Sequence, residues 1–553
     1  MKKIRITLIG CLSLCIGMGM TITSCNDPLD LESKTAVTYD YLITTAEGLG
    51  RAVIGLYDEE RNITSGNDHN LYAVTMCDYN TDIMLFRAGT SASLARLLTL
   101  LPSDADISHY WAHNYTIIGK CNEIIAAAEK MGVDNEAVKE AWAEAKFFRG
   151  RAYFLLWQRY DNIYLNTEPT TVDNLQREFT PATEEDVLSL ITTDLDDAIS
   201  GLDWIIPNEE YGRLTKAVAK HVRAQVAMWQ KDYDRAIKEC EDIINNGNYT
   251  LLESVGKVFD GPDLRNSEVL WSYQFSKNIG GGGTGTPLMG HRMSLITTTR
   301  YQSNAGCTFE AAQGGYGWGR VYPNSYLLSL YDTIHDNRYK ELFKFDFYYN
   351  KPTDKRYGTI IPKNLYGKSA GYAERLHPMS MKFFDKWTNA DQPDRTSSFK
   401  DLIVYRLAET YLICAEAYYH RDGSSPEALK YYNATWKRAG NPEEKGPLTL
   451  DKIIDEYARE LNFEGVRWAL LKRLSKLGYN NEGTYAGKDQ MVDRVHDHYG
   501  DSRTEDKYLD KDYIENRQFL NDPANAAKLK EWPIPQSQLD LMEGTFPQNE
   551  PWR

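Results

Sequence analysis

Several residue clusters have spacings that suggest chemistry, and each falls short of it. The run Gly280–Gly285 lacks a following Gly-Lys-Ser/Thr, so it cannot cradle phosphates as a P-loop does. Gly315-x-Gly317-x-Gly319 runs into Arg320 with the wrong spacing for a dinucleotide fingerprint. No Gly-x-Ser-x-Gly nucleophile elbow occurs. His109 and His113 stand one helical turn apart, as in a zinc helix. However, Tyr110 occupies the place of that motif's glutamate, so they read as packing or solvent-facing residues. His496-Asp497-His498 lies in a charged stretch and reads as a solvated loop. Glu460, Glu464 and Arg467, at i, i+4 and i+7, read as an ion-paired helix face. With 78 acidic residues, spacing alone nominates no catalytic carboxylate pair. The expectation is a protein without catalysis, cofactor or metal.

A binding site is better supported. Tyr301, Phe309, Tyr316, Trp318, Arg320 and Tyr322 fall in one glycine-rich stretch without periodicity, and Asn80, Asp82 and Arg87 fall in an earlier loop. Flat rings match the apolar faces of a sugar, while amide, carboxylate and guanidinium groups match its hydroxyls. Rigid rings also lose little entropy on binding. Trp318, between two glycines, has few local neighbours to bury it and is the first candidate. Each ring has a competing use in packing beneath a long loop.

Helices must hold these loops. Ile117, Ile118, Cys121, Ile124, Ile125 and Ala128 follow the 3.6-residue period, as do Ala141, Ala145, Phe148, Ala152 and Leu155. Leu214 to Gly247 reads as helix, turn at Lys231-Asp232, helix, at the tetratricopeptide length. Tyr405, Ala408, Leu412, Ala415 and Tyr419 make a further helix, and Ser425-Pro426 starts its partner. Val269, Trp271, Tyr273 and Phe275 alternate as in a strand. The predicted fold is mostly α, with tetratricopeptide-like helix pairs over roughly 107–250 and 400–475. An irregular region with a few short strands spans roughly 260–400, and a polar insertion 478–521.

The 553 residues can bury a sizeable core. Lys plus Arg is 63 against 78 acids, a net −15 with no basic run, which excludes nucleic acid as a partner. The first 24 residues read as a secretory signal: Lys2, Lys3 and Arg5 precede an apolar stretch from Ile6 to Ile22. Ile22-Thr23-Ser24-Cys25 resembles a bacterial lipobox, in which Cys25 carries lipid. Residues 25–553 then form one body, tethered to a membrane by Asn26-Asp27-Pro28-Leu29-Asp30. Cys121, Cys240 and Cys414 lie on apolar helix faces and read as buried thiols.

An ordered set of segments resembles the SusD/RagB family of outer-membrane lipoproteins. These are Ala145–Leu156, Ser267–Trp271, Tyr405–Ala417, Arg459–Trp468, Trp532-Pro533-Ile534-Pro535 and Pro547-Gln548-Asn549. Ala469-Leu470 depart from the family pattern of an aromatic followed by Asp. The resemblance implies a lipoprotein on the outer membrane, facing the exterior. It would bind glycan through two loop regions and deliver it to a SusC-like TonB-dependent transporter. The alternatives are a peptide-binding RagB-like protein, a surface glycoside hydrolase and a repeat scaffold that binds only proteins.

Overall fold

A computed structural model describes residues 42–63, 78–86, 97, 100–176, 178–277, 290–366, 376–479, 483–498, 520–542 and 544–553. The signal segment, Cys25, the acidic tether, Arg87, Gly280–Gly285 and residues 499–519 lie outside the described residues.

Helices dominate. In chain order they include α1 (Ala46–Asn62), α2 (Ala105–Met131), α3 (Glu136–Arg159), α4 (Glu184–Gly201), α5 (Lys216–Trp229) and α6 (Tyr233–Asn246). After the irregular region come α7 (Leu407–Asp422), α8 (Pro426–Arg438), α9 (Leu450–Leu461) and α10 (Arg467–Lys476). Their starts are chemically marked, because an oxygen side chain at the cap satisfies an otherwise orphaned N–H of the first turn. Asn135 accepts from the N–H of Ala137 and Val138, Thr183 from Asp186, and Ser425 from Ala428 with Pro426 just inside the helix. The tight turn between α5 and α6 uses Lys231 at φ 57°. Gly247 closes α6 at φ 83°, where a side chain would be strained.

The expected pairs α2–α3, α5–α6 and α7–α8 are present and packed together, and α7 also packs on α6. Cys121, Cys240 and Cys414 are buried thiols. Helix α4 was not anticipated from spacing. Its signals are an acidic first turn and the buried stripe Val187, Ile191, Leu195 and Ala198.

Three two-stranded antiparallel ladders interrupt the helices. β1 (Met84–Phe86) pairs with β3 (Val321–Pro323), β2 (Val269–Tyr273) with β6 (Leu402–Arg406), and β4 (Phe343–Lys344) with β5 (Met379–Ser380). The helix expected from Tyr405 therefore starts two residues later, at Leu407. Tyr405 and Arg406 complete β6 instead, because Arg406 lies opposite Val269 in the ladder. The helical period extended two residues too far, into a segment that tertiary pairing claims as strand.

Two apolar clusters form. The larger runs through the helices and the β2–β6 ladder. The smaller, around Tyr301, Phe347, Tyr349, Ile361, Met379 and Phe384, lies under the irregular region. Buried charges bind that region to the helices. Arg338 bonds Asp336, Glu456 and Glu460, and Arg406 bonds Glu268, Glu460 and Glu464. The expected single helix face of Glu460, Glu464 and Arg467 does not form. α9 ends at Leu461, Phe463 turns at φ 62° and Gly465 at φ 78°. Glu460 and Glu464 both bond Arg406, while Arg467 turns away from them to reach Asp82.

Candidate functional site

The two loop regions picked out by residue type do meet. β1 follows the first, β3 ends the second, and their register is Met84↔Pro323, Leu85↔Tyr322 and Phe86↔Val321. Asn324 extends the junction, donating from its backbone N–H to Ile83 O at 3.1 Å and from its amide to Asp82 O at 2.7 Å.

The first region turns its polar side chains inward. Asp82 is fully buried and receives two bonds from Arg467, at 2.8 and 2.6 Å. Burial opposes ionisation of this carboxyl, but the Arg467 guanidinium outweighs it and holds the group below the usual carboxylate range. Asp78 accepts from the Arg467 backbone N–H at 2.9 Å, and burial pushes its carboxyl up to about 7. Asn80 is also buried, in a turn at φ 59°. Arg87 lies outside the described residues.

The second region divides. Tyr301 is fully buried; its hydroxyl accepts from Glu310 N at 2.9 Å and donates to Gly315 O at 2.7 Å. It therefore holds the 310–315 loop from beneath. Tyr322 is buried and stacked on His377, with ring centroids 4.2 Å apart. Phe309, Tyr316, Trp318 and Arg320 reach the surface instead. Tyr316, Trp318 and Arg320 are half-buried, while Gly315, Gly317 and Gly319 between them are buried.

The backbone of this ledge is pinned at three points. Trp318 N donates to Leu295 O at 2.7 Å, Gly319 N to Thr298 O at 2.7 Å, and Arg320 N to Ile296 O at 2.8 Å. The approach is so close that a Cβ at Gly317 would stand 2.1 Å from Thr299 O. Only glycine fits there. Trp318 does pack against the larger core, and the Arg320 guanidinium lies 4.2 Å over its ring. It is thus held more firmly than its glycine neighbours suggest. Phe309, 40% exposed, meets Tyr316 edge-on at 5.1 Å.

Rings and a guanidinium fixed on a rigid backbone can stack on an apolar face and donate to oxygen acceptors. Glu310, the carboxylate of this loop, already accepts from Gln313 and Asn350. Sequence reasoning missed Tyr348 and Tyr357, 40% and 58% exposed. Tyr348 adjoins the ledge, since its N–H donates to Gln313 Oε1 at 3.0 Å and Asn350 bonds Thr308. Its signal was the alternation of inward Phe347 and Tyr349 around outward Tyr348.

Other candidate groups do not converge. His496 reaches Asn521 at 2.8 Å, while His498 stacks on Tyr326 and meets Tyr485. A space of about 160 Å³ inside the helical body, bordered by Glu60, Arg151, Tyr405 and Glu464, shares no lining residue with the ledge. Of its three carboxylates, Glu60 is paired with Arg151, Glu464 with Arg406, and Glu409 meets His221 and Gln225. No described helix is long and apolar enough to cross a membrane.

Comparison with known proteins places this architecture. The SusD family model matches residues 267–552, and one described as "Starch-binding associating with outer membrane" matches residues 29–228. A SusD-like protein of Formosa agariphila is 23% identical over 487 residues, covering 81% of this chain and 88% of its own. A laminarin-binding SusD-like protein superposes with TM-score 0.67 at 21% identity, covering 91% of this chain and 98% of that one. A structure solved with a xylogluco-oligosaccharide superposes with TM-score 0.62 at 19% identity, covering 82% and 86%. The helix pairs, the ordered motifs and the family match over more than half the length agree: this chain belongs to the SusD family.

Proposed function

We propose that this protein is a lipid-anchored carbohydrate-binding protein of the outer-membrane surface, which captures oligosaccharides or polysaccharide fragments and passes them to a SusC-like TonB-dependent transporter. The observation that carries the reading is the ledge. Trp318, Tyr316, Phe309 and Arg320 are partly exposed on a backbone fixed by three hydrogen bonds and by glycines with no room for a side chain. Such a surface loses little entropy when a sugar ring settles on it. Two structural neighbours are described by their carbohydrates, laminarin and a xylogluco-oligosaccharide, which supports the ligand class. The lipobox-like Cys25 supports the anchor, and the family supports the transporter.

Binding on the ledge requires no bond to be made or broken. Asp82, Asn80, Tyr301 and Tyr322 act as supports that set the loops, and the exposed four touch the ligand. The test is calorimetry on the soluble form beginning after Cys25, with laminari-oligosaccharides, xylogluco-oligosaccharides and a peptide mixture. Saccharide binding without release of reducing ends supports the reading. Binding of peptides alone moves the protein to the peptide-uptake alternative. Release of reducing ends makes it an enzyme.

A further inference from the structure

A second pocket lies away from the ledge, on the helical repeats. It has a volume of about 270 Å³ and shares no lining residue with the ledge. Three segments form it: the connection from α4 to α5, the turn after α6, and β2 with the residues leading into it. Trp204, Tyr211 and Tyr249 are half-buried rings on its walls, and Trp271 is buried behind them. The frame is rigid. Trp271 Nε1 donates to Gly212 O at 3.0 Å, and the hydroxyls of Thr215 and Tyr249 meet at 3.1 Å. The guanidinium of Arg265 lies 4.7 Å over the Tyr211 ring.

The chemistry of the lining decides its ligand. Among the described residues that border it, Arg213 alone is charged. Its guanidinium is already engaged, 2.7 Å from Glu144 and 3.1 Å from both Glu140 and Glu210. The Arg265 guanidinium beside Tyr211 lies 3.3 Å from Asp263, so a charged ligand would find only cations that already face carboxylates to replace its lost hydration. Ser267 bonds Thr250 and Asn248 bonds Asn246, but an amide carries two N–H donors and a carbonyl acceptor, so a purely apolar ligand would cover the remaining capacity of Asn248 without repaying it. The Ser272 hydroxyl is buried without a well-formed hydrogen bond, beside the hydroxyl of Tyr211. Aromatic faces joined to uncharged donors and acceptors fit a molecule that is apolar on its faces, hydroxylated at its edges and neutral. We infer that this pocket between Trp204, Tyr211, Tyr249 and Ser272 is a second binding site, taking a short neutral saccharide.

Its ligand class rests on the carbohydrate-binding reading above, and the test separates the two. Laminari-oligosaccharides and xylogluco-oligosaccharides are titrated into the chain beginning after Cys25 and into Ile205→Glu, Tyr211→Phe and Trp318→Ala. Ile205 is 70% exposed at the rim, so glutamate there adds a charge at the mouth without disturbing the core. Tyr211→Phe keeps the ring and removes only the hydroxyl beside Ser272. The expected result is two sites per chain in the parent, one in Ile205→Glu, one in Trp318→Ala and none when both are changed. Tyr211→Phe should weaken one site about tenfold, as expected for a lost hydrogen bond in a buried setting. A single site that Trp318→Ala abolishes and the pocket variants leave unchanged overturns the inference and keeps the ledge. A single site that responds only to the pocket variants keeps the inference and removes the ledge. Binding of neither probe overturns both, and a peptide that competes at the pocket reassigns its ligand class.

Discussion

Residues 78–86 and 309–320 contain similar side chains yet do opposite work. In the first, Asn80 and Asp82 are buried and Asp82 is clamped by Arg467. In the second, Trp318 and Arg320 lie against each other at the surface on a backbone fixed from below. The two are joined by the β1–β3 ladder, so one braces the other. Polarity alone does not mark a ligand-binding residue. The decisive matter is whether the fold buries the side chain or leaves part of it at the surface.

This contrast can be broken in graded steps. The largest effect belongs to Arg467→Ala, which strands the buried Asp82 carboxylate and should cost about 3–5 kcal/mol of stability. Denaturant unfolding measures it, and a loss below about 1 kcal/mol, typical of an exposed pair, would show that the brace carries little. Next is Gly317→Ala. Its Cβ would meet Thr299 O at 2.1 Å, so the ledge must shift, at about 1–3 kcal/mol as for other overpacked sites. Saccharide affinity should fall with every contacting side chain intact; unchanged binding would mean that the ledge geometry does not matter.

Trp318→Ala should be gentler on the fold and direct on the ligand. A loss of about tenfold in affinity, about 1.4 kcal/mol, is expected in calorimetry. Full affinity for a saccharide that does bind would remove Trp318 from the site. The smallest effect is on pH dependence. Asp82 is held below its usual value of 3.8, so its contribution to stability is complete above that value. It is lost as pH falls through the lower folded-state value. Asp82→Asn should flatten the acid limb of a plot of melting temperature against pH, whereas Tyr316→Phe should leave its slope alone. Equal slopes in wild type and Asp82→Asn would show that the carboxyl is not held down.

Much of the scaffold was legible because helix signals are local. The stripe on α2, the turn at Lys231-Asp232 and the Ser425-Pro426 start each lie within a few residues of what they specify. Errors arose where a distant segment intervened. Tyr405 joined a strand because β2 lay alongside it, and Arg467 parted from Glu460 and Glu464 because the chain turned at Phe463 and Gly465. Within the proposed site, the aromatic and glycine content of 301–322 singled out the stretch that forms the ledge. It did not reveal that Tyr301 and Tyr322 face inward, or that Tyr348 adjoins the ledge with its ring partly exposed.

By itself, the sequence determined the family, the mostly helical repeats and the stretch that holds the ledge. All three rest on residue type and short spacing, which are properties of the chain before it folds. Tertiary structure alone decided which of the eight described candidate side chains are buried and which reach the surface. Burial and pairing depend on partners hundreds of residues away: Arg467 lies 385 positions beyond Asp82. The same holds for the neutral pocket around Tyr211, whose walls come from three separate segments and acquire a common chemistry only when packing brings them together.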